Sequence, residues 1–121
     1  MSERQTNEVD TLLLLQKQNG GFHDAEVTQL DYNSVTGSLV LELANLRSFD
    51  SRGLPHKGLP TLKLFFSGVT IMSRRGGADH VEYSVNRVEI SKHPISSTLL
   101  LETVIGSLEF SFRDVGILSG R

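Results

Sequence analysis

The sequence predicts a mainly β, or α+β, protein in which one N-terminal helix precedes a curved antiparallel sheet, arranged as a sandwich or half-barrel. Apolar residues recur at helical spacing only near the N-terminus, and after Phe22 they alternate with polar residues. Turn signals divide this alternating part into about six to eight short strands. No second helical pattern supplies the crossovers that a parallel sheet needs. The length of 121 residues fits one domain, with a helix over about 7–18 and strands over 22–117.

The helix is predicted over residues 7–18. Acidic residues occupy its first turn, a lysine lies near its end and a Gly-Gly pair follows it, an order that suits helix caps and the helix dipole. Val9, Leu12 and Leu13 form its apolar stripe. The leucine run at 12–15 also fits a strand, which is the competing interpretation.

The first alternating runs predict a hairpin. The apolar positions change phase once, near Thr28 or Gln29, and this change predicts a bulge. The polar stretch at 33–37 supplies the turn, and residues 38–46 return as the second strand.

The rest of the chain predicts further strands and turns. Residues 62–72 fit one strand with a kink or bulge at Gly68, and residues 74–79 fit a loop. Residues 81–90 fit one bent strand or two short ones, and the alternation over 99–112 predicts a second hairpin that ends the chain. The predicted core consists of Leu39, Leu41, Leu43, Leu62, Leu64, Phe66, Val81, Tyr83, Leu99, Leu101, Leu108, Phe110 and Phe112.

Composition argues against several classes of protein. A net charge of -2 gives no overall positive field to attract nucleic acid. The absence of cysteine excludes a disulfide framework, a zinc ribbon and a thiol nucleophile. The early apolar run at 12–15 is too short for a signal sequence or a membrane span. We therefore expect a cytoplasmic protein that binds neither nucleic acid nor membrane.

His23 and Asp24 are the leading candidates for catalysis, because a carboxylate beside an imidazole can orient the ring and raise its basicity. Neighbouring residues of an extended chain point to opposite faces, so the simpler interpretation is a turn aspartate beside a surface histidine. The histidines lack metal-ligand spacing, and neither a serine nucleophile elbow nor a phosphate-binding loop occurs. We therefore predict no metal and no cofactor.

Residues 47–60 form a long predicted connection, and long connections without secondary structure are commonly functional. Apolar residues and two prolines suit a partner-binding element of restricted freedom. The alternative is a surface loop that packs on its own sheet. The predicted partner-binding residues are Arg47, Phe49, Arg52, Leu54 and His56.

Three segments carry a family resemblance: Phe22-His23-Asp24-Ala25-Glu26-Val27, then Phe66-Ser67-Gly68-Val69, and the closing Leu108-Glu109-Phe110. Over most of residues 22–112 the chain resembles small bacterial domains of unknown function, some of them grouped with the immunity proteins of polymorphic toxin systems. The resemblance implies a cytoplasmic, strand-rich protein that binds another protein and catalyses no reaction. It assigns no functional residue.

The sequence thus favours a non-enzymatic protein-interaction module whose partner is another protein or a second copy of the chain. The alternative is a small-molecule binder or enzyme that uses the concave face of the sheet together with His23 and Asp24.

Overall fold

Residues 8–49, 55–57, 61–76 and 84–119 are described by the structure, a computed structural model, and for 47–49, 55–57 and 119 the description covers the backbone. Helix α1 spans Val9–Gln18, and a 3₁₀ turn over Gly20–Phe22 follows it. The strands are β1 (Glu26–Asn33), β2 (Ser38–Ala44), β3 (Arg47–Phe49), β4 (Pro55–Lys57), β5 (Thr61–Ser67), β6 (Thr70–Gly76), β7 (Val85–Ser91), β8 (Ser97–Thr103), β9 (Gly106–Phe112) and β10 (Asp114–Ser119).

The strands form two four-stranded sheets and one short ribbon, and all of their pairings are antiparallel. The first sheet has the order β1-β2-β5-β10, and the second has the order β6-β9-β8-β7. Strands β3 and β4 pair with each other. The predicted fold class is therefore confirmed, with the specification that the two sheets are not closed into a barrel.

Most elements lie where the sequence predicts them. Helix α1 covers the described part of the predicted helix, so the strand interpretation of residues 12–15 is wrong. Strand β1 has an irregular register between Val27 and Gln29, as the change of phase predicts. The two predicted hairpins are β1–β2 and β8–β9. Strand β7 has a similar irregularity between Val85 and Arg87.

One antiparallel strand pair passes through both sheets. Ser67 pairs with Asp114 in the first sheet and Thr70 pairs with Ser111 in the second, so the register continues unchanged across the bend between them. Gly68 lies at this bend with a φ of 65°. The prediction of a kink at Gly68 is therefore correct, but the prediction of a single strand is wrong, because β5 and β6 belong to different sheets. Strands that change sheets at such bends are the usual corners between packed sheets.

Three further predictions need correction. The chain does not end in the second hairpin, because β10 follows β9 and pairs with β5 in the first sheet. Arg74 and Arg75 belong to strand β6 rather than to a loop. The predicted loop over 47–60 contains the paired strands β3 and β4, because a short ribbon satisfies backbone groups that a structureless loop would leave to water.

The core lies between the two sheets. All of the predicted core residues that the structure describes are buried, whereas Val81 and Tyr83 lie outside the described residues. Phe66 of the first sheet makes edge-to-face contacts with Phe110 and Phe112 of the second, at ring-centroid distances of 5.0 and 4.8 Å. Rings in this geometry contribute stability beyond the apolar area they bury. The three rings therefore join the inner faces of the two sheets.

Helix α1 covers an edge of each sheet. Glu8, just before the helix, donates its backbone N–H to the Val115 carbonyl of β10 (2.7 Å) and accepts the Ile117 N–H with its carboxylate (2.8 Å). Gln16 donates its side-chain amide to the Val88 carbonyl of β7 (2.5 Å). Uncovered edge strands offer unpaired backbone groups to other chains, so these contacts protect β10 and β7.

The predicted apolar stripe of α1 turns toward the core. Val9 and Leu12 are buried, and Leu13 is half-buried. The helix has 10 residues, and no helix in the described ranges has the length and apolar character needed to cross a membrane.

Replacing Phe110 with Ala should lower the free energy of unfolding by about 3–5 kcal/mol, because Phe110 is fully buried and the change leaves a cavity beside Phe66. Urea denaturation followed by circular dichroism measures this change. The matched control is Phe65→Ala. Phe65 precedes the buried Phe66 on β5 and points outward, so this change should lower the free energy of unfolding much less. Equal losses for the two variants would show that the inward and outward registers are misassigned.

Replacing Gly68 with Ala should also destabilise the protein. The new Cβ would lie 2.6 Å from Cγ and Cδ of Arg113, and a left-handed backbone at an L-residue costs about 1–2 kcal/mol. Gly116→Ala is the control, since its Cβ would meet only the Glu8 carboxylate at 3.9 Å. Adding Arg113→Ala should recover only part of the loss that comes from the clash, because the Arg113 Cβ, which alanine keeps, would still lie 2.9 Å from the new Cβ. Similar denaturation midpoints for the Gly68 and Gly116 variants would contradict this account of the bend.

Candidate functional site

The outer face of the second sheet is polar. On β7, Arg87 contacts Glu89 (2.9 Å) on one side and Glu102 of β8 (3.5 Å) on the other, and all three side chains are largely exposed. Ser107 and Glu109 of β9 continue this face. Charged and hydroxyl side chains of this kind are usual on the water-facing side of an antiparallel sheet. This face also carries Leu100 of β8, which is half-buried between its register partners Glu89 and Glu109.

The outer face of the first sheet carries apolar side chains across three adjacent strands. Val40 of β2 is paired with Phe65 of β5. Leu118 of β10 is paired with Lys63, two residues before Phe65, and is therefore a diagonal neighbour of Phe65. Phe65 is 42% exposed and Leu118 is 58% exposed. We name Val40, Phe65 and Leu118 the outer patch. Diagonal neighbours on a sheet lie within reach of long side chains, so the three residues form one continuous surface.

Polar groups border the outer patch. The Lys63 ammonium lies 5.7 Å from the centroid of the Phe65 ring, a distance at which a cation is attracted to the ring face. Lys63 is also paired with Glu42 of β2. Thr28, at the bulge of β1, donates its hydroxyl to the Glu42 carboxylate (2.8 Å). The patch therefore has an aromatic and aliphatic centre with both signs of charge at its margin.

His23 and Asp24 contact each other, contrary to the expectation from an extended chain. The chain turns here, because Asp24 has a φ of 68°, and the His23 Nδ1 lies 3.2 Å from the Asp24 carboxylate. The side chains are 61% and 56% exposed. The Asp24 N–H donates to the Val85 carbonyl (2.9 Å), which joins the start of β1 to the start of β7. The pair therefore lies on the surface where the two sheets meet.

The inner faces of the two sheets are filled by core side chains. The described chain has a surface depression of about 410 Å³ at the Gly68 bend and a crevice of about 240 Å³ between the sheets, and neither is lined by His23 or Asp24. No group of three histidine, aspartate or glutamate residues suited to a metal ion occurs within the described ranges.

The predicted partner-binding residues lie in or beside the β3–β4 ribbon. Backbone pairing joins Arg47 to Lys57 and Phe49 to Pro55, with His56 opposite Ser48. The side chains of Arg47, Phe49 and His56 lie outside the described residues, as do Arg52 and Leu54 entirely. Ala44 and Thr61, which flank this segment, are paired in the first sheet. Residues 47–60 therefore connect the two strands that carry Val40 and Phe65.

Sequence reasoning missed the crevice. It is lined by Leu30, Tyr32, Leu39, Ile71, Arg74 and Leu108. Two bulges bring residues to it: one in β1 turns Leu30 and Tyr32 inward, and one between Ile71 and Ser73 of β6 turns Arg74 inward, opposite Leu108. The change of phase in β1 is visible in the sequence, but the bulge in β6 lies where the sequence predicts the end of a strand.

A comparison of the chain with protein-family models found no match, and neither did a comparison with curated proteins.

Proposed function

We propose that the protein is a non-enzymatic protein-interaction module, and that the outer patch is its binding surface. The observation that carries the proposal is the exposure of two large apolar side chains, Phe65 and Leu118, on the outer face of the first sheet, whereas Arg87 forms ion pairs on the outer face of the second. The partner is another protein or a second copy of the chain. Neither nucleic acid, membrane nor cofactor takes part, and the module acts in the cytoplasm, which suits a chain without cysteine.

The composition of the outer patch suits a protein partner. Aromatic residues are enriched where proteins meet, and a few well-packed anchors supply most of the binding free energy. Phe65 provides such an anchor, and its position in the interior strand β5 holds its backbone rigidly between β2 and β10. A rigid anchor loses little conformational entropy on binding. Lys63 and Glu42 at the margin can then select partners by complementary charge.

The resemblance of residues 22–112 to the immunity proteins of polymorphic toxin systems supports a protein as the partner. Residues 47–60 are part of the same proposal, because they connect β2 to β5 at the end of the first sheet. Strands β3 and β4 pair only with each other among the described strands, so this ribbon is free to contact a partner without breaking a sheet. We include Arg47, Phe49, Arg52, Leu54 and His56 in this proposal as the partner-binding residues that the sequence predicts.

The second candidate function is small-molecule binding or catalysis by His23 and Asp24, and their 3.2 Å contact is the observation that favours it. Catalytic electrostatics act most strongly in sites that exclude water. Both side chains are more than half exposed, so a substrate or a further segment would have to cover them first. The interaction module requires no such rearrangement, and we prefer it for that reason.

Replacing Phe65 and Leu118 with Ser should weaken partner binding at least about tenfold, because each change removes an apolar anchor. The wild-type chain is used to capture proteins from the source cell, the captured protein is purified, and its affinity for each variant is measured by calorimetry. Sedimentation velocity over a range of concentrations measures self-association in the same variants.

The matched control is Val104→Ser, which changes an exposed apolar residue in the β8–β9 turn, away from the outer patch. It should bind as the wild type does. A wild-type chain that stays monomeric and captures no protein would overturn the proposal, and equal binding by the patch variants would remove the outer patch from it.

Replacing residues 47–60 with a short glycine-rich turn should leave the free energy of unfolding nearly unchanged and abolish partner binding. Closure entropy varies slowly with loop length, so a shorter connection between β2 and β5 carries little penalty. Urea denaturation and the binding assay described above measure the two effects. Unfolding of the shortened chain would show that the segment belongs to the folded core and would exclude a role confined to binding.

A further inference from the structure

The crevice between the sheets combines an apolar interior with one positive charge. Leu39 and Leu108, one from each sheet, are buried at its floor. Leu30 and Ile71 are half-buried, and Tyr32 and Arg74 are exposed. Among the described residues that line it, Arg74 is the single charged side chain. The crevice is thus apolar at depth and polar where it meets solvent.

Two irregularities of the backbone build this crevice. A regular β1 would turn Gln29 and Asp31 inward, and a regular β6 would turn Ser73 inward. The bulges instead direct Leu30 and Tyr32 from one sheet and Arg74 from the other toward the same space. Bulges are frequent beside binding sites because they re-aim side chains. Two of them, in different sheets, converge on this crevice.

The volume of the crevice limits the size of an occupant. An engineered apolar cavity of about 150 Å³ in another protein binds benzene, and pockets for drug-sized molecules begin at about 300 Å³. A crevice of about 240 Å³ lies between these limits. It therefore suits a molecule of one ring or a short aliphatic chain with a small polar group.

We propose that this crevice binds a small monocarboxylate, with its apolar body between Leu30, Ile71 and Leu108 and its carboxylate on Arg74. The planar guanidinium has five N–H donors, so it can bind a carboxylate in addition to the interaction that Arg74 already makes, and a charge-assisted pair beside an apolar wall is stronger than one in open water. The Tyr32 hydroxyl is a further donor at the mouth. The crevice opens between the sheets and the outer patch lies on the outside of the first sheet, so this proposal is independent of the proposed function.

Benzoate is the probe that tests the proposal, and benzamide is its uncharged counterpart of the same size. Two-dimensional NMR of the full chain, titrated with each compound at neutral pH and constant ionic strength, reports both affinity and location. Benzoate should cause saturable shifts at Leu30, Tyr32 and Ile71, and benzamide should bind at least about tenfold more weakly because it lacks the charge. The absence of saturable shifts, or equal binding of the two compounds, would overturn the proposal.

Neighbouring arginines of β6 supply matched variants. Arg74 is paired with Leu108 and faces the crevice, whereas Arg75 is paired with Ser107 on the outer face. Arg74→Gln should reduce benzoate affinity to the level of benzamide, and Arg75→Gln should leave it unchanged. Both residues are exposed, so thermal melting should show both variants folded. Equal losses for the two variants would show a general charge effect and overturn the assignment of Arg74.

Discussion

The left-handed backbone conformation at Gly68 is the constraint on which the rest of the structure depends. It lets one antiparallel strand pair turn from the first sheet into the second without loss of register, and the Arg113 N–H closes the bend by donating to the Ser67 carbonyl (2.9 Å). The inner face of the pair is thereby folded onto itself. Phe66, before the bend, meets Phe110 and Phe112 across the core for this reason. An extended residue at position 68 would not turn the strand pair in this way.

Two sheets joined along one corner still have edge strands, and these edge strands are protected in two different ways. Helix α1 occupies the β10 edge through Glu8 and the β7 edge through Gln16. The edge strand β1 carries a bulge, and a bulged strand is a poor template for pairing with another chain. The β6 edge strand is bulged as well. Bulges that blunt these two edges also turn Leu30, Tyr32 and Arg74 toward the crevice, so protection of the edges and construction of the crevice share one cause.

Local patterns in the sequence predict the elements of this fold well, because burial on one face imposes a period of two wherever a strand has a dry side. Leu39, Leu41 and Leu43 show this plainly, and the bulge in β1 leaves a visible change of phase. The change of sheet at Gly68 is not visible, since a kink within one strand and a corner between two sheets require the same glycine. The contacts of Glu8 and Gln16 join residues far apart in the chain, and no local pattern records them. For His23 and Asp24 the expectation from sequence is wrong in the opposite direction. Neighbouring residues of an extended strand point to opposite faces, but the positive φ of Asp24 brings these two side chains into contact.

The distribution of apolar and polar side chains over the faces of the two sheets is the basis of the proposed interaction module. The inner faces of both sheets are occupied by apolar core side chains, so they do not offer a site for several polar groups in the described part of the chain. A reaction would have to use surface residues such as His23 and Asp24, whose side chains are both more than half exposed to solvent. Several apolar side chains of the described residues remain outside the core, and the outer patch and the crevice are the two places to which we assign a ligand. Phe65 and Leu118 lie on the outer face of the first sheet, to which we assign a protein partner, and Ile71 and Leu30 line the crevice, to which we assign a small molecule. We infer the class of ligand for each surface from its shape rather than from its composition.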